Sequence, residues 1–354
     1  IKITPKERTV IEHGIVALPQ VAPNESGTAT LTLSEQSKAA GDVLQLVATT
    51  SVGDTLNVWT YPMEYADEYF AKSGPKNILS SVATVEENTL EANGVKAVFN
   101  SETGMLASVS YNGKDIPFNN GPSPVGMKMK LKKITPRRNG GDAQLIMHYA
   151  GAADSIVWTM RPDGLLGMDA VLLNDRKGHG YEGDFFDSEV RNLGFSFSYP
   201  ESVVEGMRWM GRGPYRVWRN RQRGTTLDLW QKDYNNTVTG ETTGSLVYPE
   251  FKGYHANLYW AEMQSATAPF TVYSETDGLY LRVFTPQEPK HRNNGERTMQ
   301  PFPDGNISFL LEIPAIRSYK PIEQLGPVAQ PSNIRINKGD DGLKVKLWFD
   351  FRQR

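Results

Sequence analysis

The sequence predicts an all-β protein, on three observations. Short runs with period-two alternation recur along the chain, turn residues separate them, and helical periodicity is nearly absent. Thr28-Ala29-Thr30-Leu31-Thr32-Leu33 alternates threonine with apolar residues, which gives an extended segment one wet face and one buried face. At the far end Leu343, Val345, Leu347, Phe349 and Phe351 alternate with Lys344, Lys346 and Asp350. At 354 residues the chain is long enough for two domains and a large core.

Taken in order, Ile1-Lys2-Ile3 reads as a strand entered partway, and Ala17 to Pro23 as a Pro-rich bend. Asp42 to Thr50 and Asp54 to Tyr61 are apolar, β-branched runs separated by Val52-Gly53-Asp54. Residues 1–63 therefore read as a small β-sandwich of immunoglobulin type. Residues 64–81 read as a linker. Within it, Glu64 to Lys72 is the one short helix expected, stopped by Ser73-Gly74-Pro75. From residue 82 to 354 hairpins dominate. Gly94 to Asn100 and Met105 to Tyr111 flank Glu102-Thr103-Gly104, and Asn112-Gly113 makes the next turn. Ser155 to Met160 and Leu165 to Leu173 flank Arg161-Pro162-Asp163-Gly164, where Pro and Gly suit the turn. Gly278 to Phe284 and Asn306 to Ile313 add further strands. So long a β region with no convincing helix needs a large two-sheet sandwich or a barrel.

Composition excludes several classes. The net charge of -2 points to neither nucleic acid nor an anionic membrane as partner. No run of about 18 apolar residues is present, so no transmembrane helix is expected. The absence of Cys removes disulfides, thiol nucleophiles and Cys-based zinc sites. A periplasmic or secreted bacterial location is expected, with the cytoplasm left open. Asn24, Asn235 and Asn306 head glycosylation-type triplets, a pattern cheap enough to be incidental.

The densest motif is Met207-Arg208-Trp209-Met210-Gly211-Arg212-Gly213-Pro214-Tyr215-Arg216-Val217-Trp218-Arg219-Asn220-Arg221. From Gly206 to Leu227 there are six arginines and no acid. Gly211-x-Gly213-Pro214 is not a phosphate loop, which needs a third Gly and a following helix. It reads as a strand-ending turn whose glycines take backbone angles closed to other residues. Beyond it, Arg216, Trp218, Arg219, Arg221 and Arg223 allow three readings. Aromatic rings beside guanidinium groups suit sugars. The same mixture holds single-stranded nucleic acid. The plainest reading is packing and ion pairs with Asp228, Asp233 and Glu250. Trp218, Arg219 and Arg221 are expected on an exposed loop, because clustered arginines need matching acids to be buried and none is local.

Among the five histidines, none has zinc-helix spacing. His179 and His255 have acids nearby, namely Glu182, Asp184 and Glu250, the arrangement an acid–base pair would need. Trp209, Trp230 and Trp260 lie in strand-like runs and read as core.

Trp209-Met210-Gly211-Arg212-Gly213-Pro214 resembles the W-x-G-x-G-P segment in the C-terminal domain of glycoside hydrolase family 2, the β-galactosidase family. The hairpins over residues 94–113 and the run from Arg191 to Pro214 share the likeness. Pro249 and Gly253 are similar to the family's x-P-Q-x-x-G segment. The family's E-N-Y-x-D-R continuation is replaced here by Tyr215 to Arg221, without its acids. Its R-A-P-x-D-N-D loop is replaced by the acid-free run Gly121 to Lys128.

The resemblance implies a galactose-mutarotase-like supersandwich over residues 82–354, following the immunoglobulin-like one. It implies a parent protein that hydrolyses a β-glycosidic bond with retention, on two glutamates of a (β/α)₈ barrel. This chain has no alternating strand–helix pattern. The expectation is therefore an accessory region with no catalytic residue of its own, inactive alone. Its partners would be carbohydrate and the parent's barrel and sugar-binding domains, with homo-oligomerisation left open. Trp218, Arg219, Arg221, His255 and Glu250 are the candidate carbohydrate-binding residues. No metal site and no cofactor are called for, and a bound cation stays open. The alternative is a carbohydrate-binding or mutarotase-like protein using the sandwich itself. A third class is a purely structural module.

Overall fold

The computed structural model describes residues 1–77, 81–172, 192–236, 250–287, 302–316, 321–329 and 343–352. The protein is all-β, with most of its described strands forming one large antiparallel assembly that nearly closes into a barrel-like sandwich.

The chain opens with β1 (Lys2–Ile3) and β2 (Arg8–Thr9), which pair with each other. Residues 10–33 then run without secondary structure. The strand expected at Thr28 to Leu33 is thus not formed, and Leu31 is exposed. Alternation supplies a face, but a strand also needs a neighbour for its N–H and C=O groups. Here β3 (Val43–Thr49) and β4 (Thr55–Pro62) pair only with each other. A helix not expected from the sequence, α1 (Glu35–Ala40), precedes them. The Ser34 hydroxyl caps it by accepting from the Ser37 N–H. Its single buried side chain, Ser37, leaves no apolar stripe to signal it.

The expected helix near residue 64 is α2 (Ala66–Ser73). It is anchored rather than loose. The Tyr69 hydroxyl donates to Ile3 O at 2.9 Å and accepts from Trp260 Nε1 at 3.1 Å. Tyr69 and Ala66 share a core cluster with Ile3, Val43, Met210, Leu227, Tyr259 and Trp260. The N-terminal segment and the large sheet therefore bury apolar surface against each other.

A meander follows: β5 (Thr84–Glu86), β6 (Thr89–Ala92), β7 (Val95–Phe99), β8 (Leu106–Tyr111) and β9 (Lys114–Ile116). The sequence-predicted turns sit between its strands. Gly104 and Gly113 carry φ of +72° and +76°, the left-handed region that favours glycine. Next come β10 (Asn119–Val125), β11 (Met129–Asn139), β12 (Asp142–Gly151), β13 (Ala153–Met160) and β14 (Leu166–Leu172). The remaining strands are β15 (Leu193–Ser198), β16 (Gly206–Val217), β17 (Thr226–Asp233), β18 (Gly253–Gln264), β19 (Phe270–Ser274), β20 (Tyr280–Val283), β21 (Ile307–Glu312) and β22 (Leu343–Asp350).

One sheet runs β11-β12-β13-β14-β22-β19-β18-β16-β17. A second runs β20-β21-β15-β10 and continues through β8 into the meander. β18 also pairs with β20, so it joins the two. Between the sheets lies an aromatic core. The Phe118 ring meets those of Phe197, Tyr199, Phe270, Phe349 and Phe351 at 4.8 to 6.4 Å. Such pairs add about 0.5–1.5 kcal/mol each beyond simple area burial.

Phe118→Ala is expected to cost about 3–5 kcal/mol, read as a shift of the denaturant unfolding midpoint. A cost below about 1 kcal/mol would mean that this ring does not organise the core.

Candidate functional site

The residues singled out in the sequence gather along the paired strands β16 and β18 and the turn after β16. In β16, Met207 and Trp209 face the core, as alternation requires. The strand does not stop at Gly213-Pro214; it continues to Val217. Neither Gly211 nor Gly213 has a positive φ, so the expectation of special backbone angles is corrected. The glycines serve close approach instead. A Cβ at Gly213 would sit 2.6 Å from Trp230 Cδ1, and one at Gly211 would sit 3.1 Å from the carbonyl oxygens of Ala256 and Asn257. Trp230 Nε1 donates to Gly211 O and Thr226 O, each at 3.2 Å. The Gly-x-Gly spacing is the seat of the Trp230 indole.

Trp218 is 5% exposed, which overturns the expectation of an exposed loop. It packs edge-on against Tyr254 at 5.5 Å and against Phe302 at 5.5 Å. Val217, Ala256, Leu310 and Ile313 complete this small core. The acids and carbonyls that allow burial come from far along the chain, which is why no local sequence showed them. Arg219 Nε donates to Val328 O at 3.1 Å, and its Nη1 lies 3.8 Å from Glu312 Oε2. Asn220 clamps Ile316 through both backbone groups, at 3.0 and 2.9 Å. Arg221 alone of the three is exposed, in the tight turn where its N–H donates to Trp218 O at 2.8 Å.

Glu250 and His255 lie on the other side of β16. Glu250 takes Arg216 in a two-pronged ion pair, 3.0 Å from both Nε and Nη2, the geometry in which guanidinium and carboxylate match best. This is one of the expected pairs. Another expected acid, Asp228, is held instead by Arg8 at 2.7 Å. Gly253, at φ +126°, lets the Arg216 stem lie against the strand, since a Cβ there would sit 2.9 Å from Arg216 Cδ.

His255 is fully buried, with its ring edge-on to Trp209 at 5.1 Å. Its Nε2 lies 3.2 Å from Phe251 O. Burial pushes its pKa down to about 4, and the charges of Lys232 and Arg216 push the same way. Burial also lowers Lys232, to about 8, against the pull of Glu250. The imidazole is neutral at pH 7 and sealed from solvent, so it is no acid–base catalyst for an outside substrate. His179, the other candidate, lies outside the described residues.

Sequence reasoning missed Arg282, which is fully buried in the middle of β20. Its Nη1 donates to Gly305 O at 2.7 Å, and its Nη2 to Pro303 O. Desolvation lowers its pKa to about 10. The signal was a lone charge between Leu281 and Val283 in an otherwise apolar strand.

Among the described residues no group of three or more His, Asp or Glu is placed to hold a metal ion, and no helix is long and apolar enough to cross a membrane. Around β16 and β18 the described residues thus include buried or partly buried His255, Arg282, Arg216 and Lys232. No known protein family matches the sequence, and no curated protein matches it.

Two outcomes are expected. Trp218→Ala should cost about 3–5 kcal/mol in denaturant unfolding, as truncation of a core aromatic does; near-neutrality would put the ring back on the surface. The folded pKa of His255 lies below its unfolded value, so the unfolded state binds the extra proton between them. Stability should therefore be fully present above pH 6.5 and fall as pH drops toward 4, by on the order of 3 kcal/mol. His255→Gln should flatten that slope; an unchanged acid limb would exclude the histidine as its source.

Proposed function

We propose that this chain is the C-terminal accessory region of a family 2 glycosidase of β-galactosidase type, acting beside a barrel that carries the chemistry. The observation that carries this reading is the W-x-G-x-G-P resemblance at Trp209 to Pro214. The packing gives that spacing a physical purpose. Trp209 fills the core, and the two glycines admit the Trp230 ring and the neighbouring strand. A motif held by packing fits a region that supports catalysis without performing it. The all-β architecture is compatible with the proposed supersandwich.

Within this proposal, Arg221 is the member of the motif placed to meet carbohydrate or another domain, being exposed at the turn after β16. Trp218, Arg219, Glu250 and His255 act by holding that turn and the strands beneath it. His255, sealed and neutral, lends the mutarotase-like alternative no support.

The purified chain is expected to release no nitrophenol from aryl β-galactosides above a buffer blank. Turnover that disappears on substituting a carboxylate of this chain would overturn the accessory role. The adjoining coding sequence tests the family reading directly: a (β/α)₈ barrel in the same reading frame supports it, and a different neighbour removes it.

A further inference from the structure

The outer face of the first sheet carries a groove away from the β16–β18 pair. Its layout follows from register. Arg137, Gln144, Thr159, Gly167 and Trp348 stand directly opposite one another on β11, β12, β13, β14 and β22, forming one straight cross-strand row. The next positions along these strands, Leu145, Trp158, Met168 and Leu347, form the matching row on the core side and are fully buried. The row is thus an outer surface of mostly polar residues, with Gly167 between Thr159 and Trp348. A Cβ at Gly167 would sit 2.7 Å from the Trp348 ring. The missing side chain lets the Trp348 ring lie over Gly167, and the indole borders the groove. Trp348 is fixed there by stacking on Phe70, with ring centres 5.7 Å apart and planes 7° apart, and by its Nε1 donating to Glu275. The groove measures about 320 Å³, within the roughly 300–1,000 Å³ range of small-ligand sites.

We propose that this groove binds a neutral oligosaccharide. The hydrogen-bond chain leading into it has a fixed direction. Arg137 Nε donates to Gln144 Oε1 at 2.8 Å, which fixes the amide orientation, and Gln144 Nε2 donates to Thr159 Oγ1 at 3.0 Å. The Thr159 oxygen accepts that bond and keeps one proton of its own to donate. Asp142 and Asp169 flank the row on opposite sides. They are two strands and four residues apart, on the order of 15 Å by ideal strand spacing. That is too far for both to grip one ion, and it matches hydroxyl groups at the two ends of a short oligosaccharide. Two carboxylates repel an anionic ligand, while Arg137 and Lys346 offset their field for a neutral one. A sugar hydroxyl both donates and accepts, so it can use Thr159 and a carboxylate together.

The inference does not rest on the family assignment, and its test is separate. Saturation-transfer NMR on the intact chain, with lactose and cellotetraose as probes and glucuronate and sulfate as anionic controls, reads the site. At least one neutral saccharide is expected to bind at up to about 10 mM, the weak range typical of single-site contacts. Thr159→Val with Asp169→Asn should weaken it about tenfold or more in a chain that circular dichroism shows folded, while Lys114→Ala, exposed on β9, leaves it unaltered. Gly167→Ala, which pushes the Trp348 ring, gives a second reading by loss of the ligand's ring-proton signals. Absence of binding by both neutral saccharides would overturn the proposal. So would unchanged binding in the double variant, or stronger binding of the anions.

Discussion

Strand β18 belongs to both sheets, and the rest of the molecule depends on that double membership. Along one edge it pairs with β16 throughout; along the other its first residues pair with β20 and its last with β19. The change of partner falls at Asn257, which takes φ +55°, beside a register shift opposite Met210 and Arg212. A bulge of this kind bends a strand sharply enough to serve two sheets. Leu258 closes the switch by donating its N–H to Leu279 O at 2.9 Å. Every strand of the two sheets is ordered outward from this junction, and the aromatic core around Phe118 fills the space the divergence opens.

Charge is handled at the junction by distance in sequence rather than by local pairing. Arg216, Arg219 and Arg282 are mostly buried, yet their partners Glu250, Glu312 and Gly305 lie 23 to 93 residues away. Lys232 and His255 give up proton affinity instead. Removing one partner from such a network strands a buried charge, which costs far more than the pair contributes. Arginine-rich sequence here means a rigid polar core, with Arg221 as its exposed tip.

Much of the fold was legible because it rests on period two and on turn chemistry. The hairpins around Gly104, Gly113 and Gly164 lie where glycine and its neighbours place them, and β3, β4, β13, β14, β20, β21 and β22 follow their apolar runs. Thr28 to Leu33 shows the limit of that signal, because alternation cannot say whether a neighbour exists. The site was less legible. Trp218 looked exposed because no acid lies near it in sequence, but burial depends on Tyr254 and Phe302, brought in by other strands. The Gly-x-Gly spacing was visible; its purpose as the seat of Trp230 was not.

Sequence alone determined that this is a β protein, where many of its hairpins turn, and that it has no thiol chemistry. These are local properties of side-chain period, backbone angle and composition. Tertiary structure decided which strands meet, that His255 is sealed and neutral, that Trp218 is core, and that Arg137, Gln144, Thr159, Gly167 and Trp348 form one row. Such relations are set by cross-strand register between segments up to about two hundred residues apart, fixed only when both faces of each sheet find their packing partners.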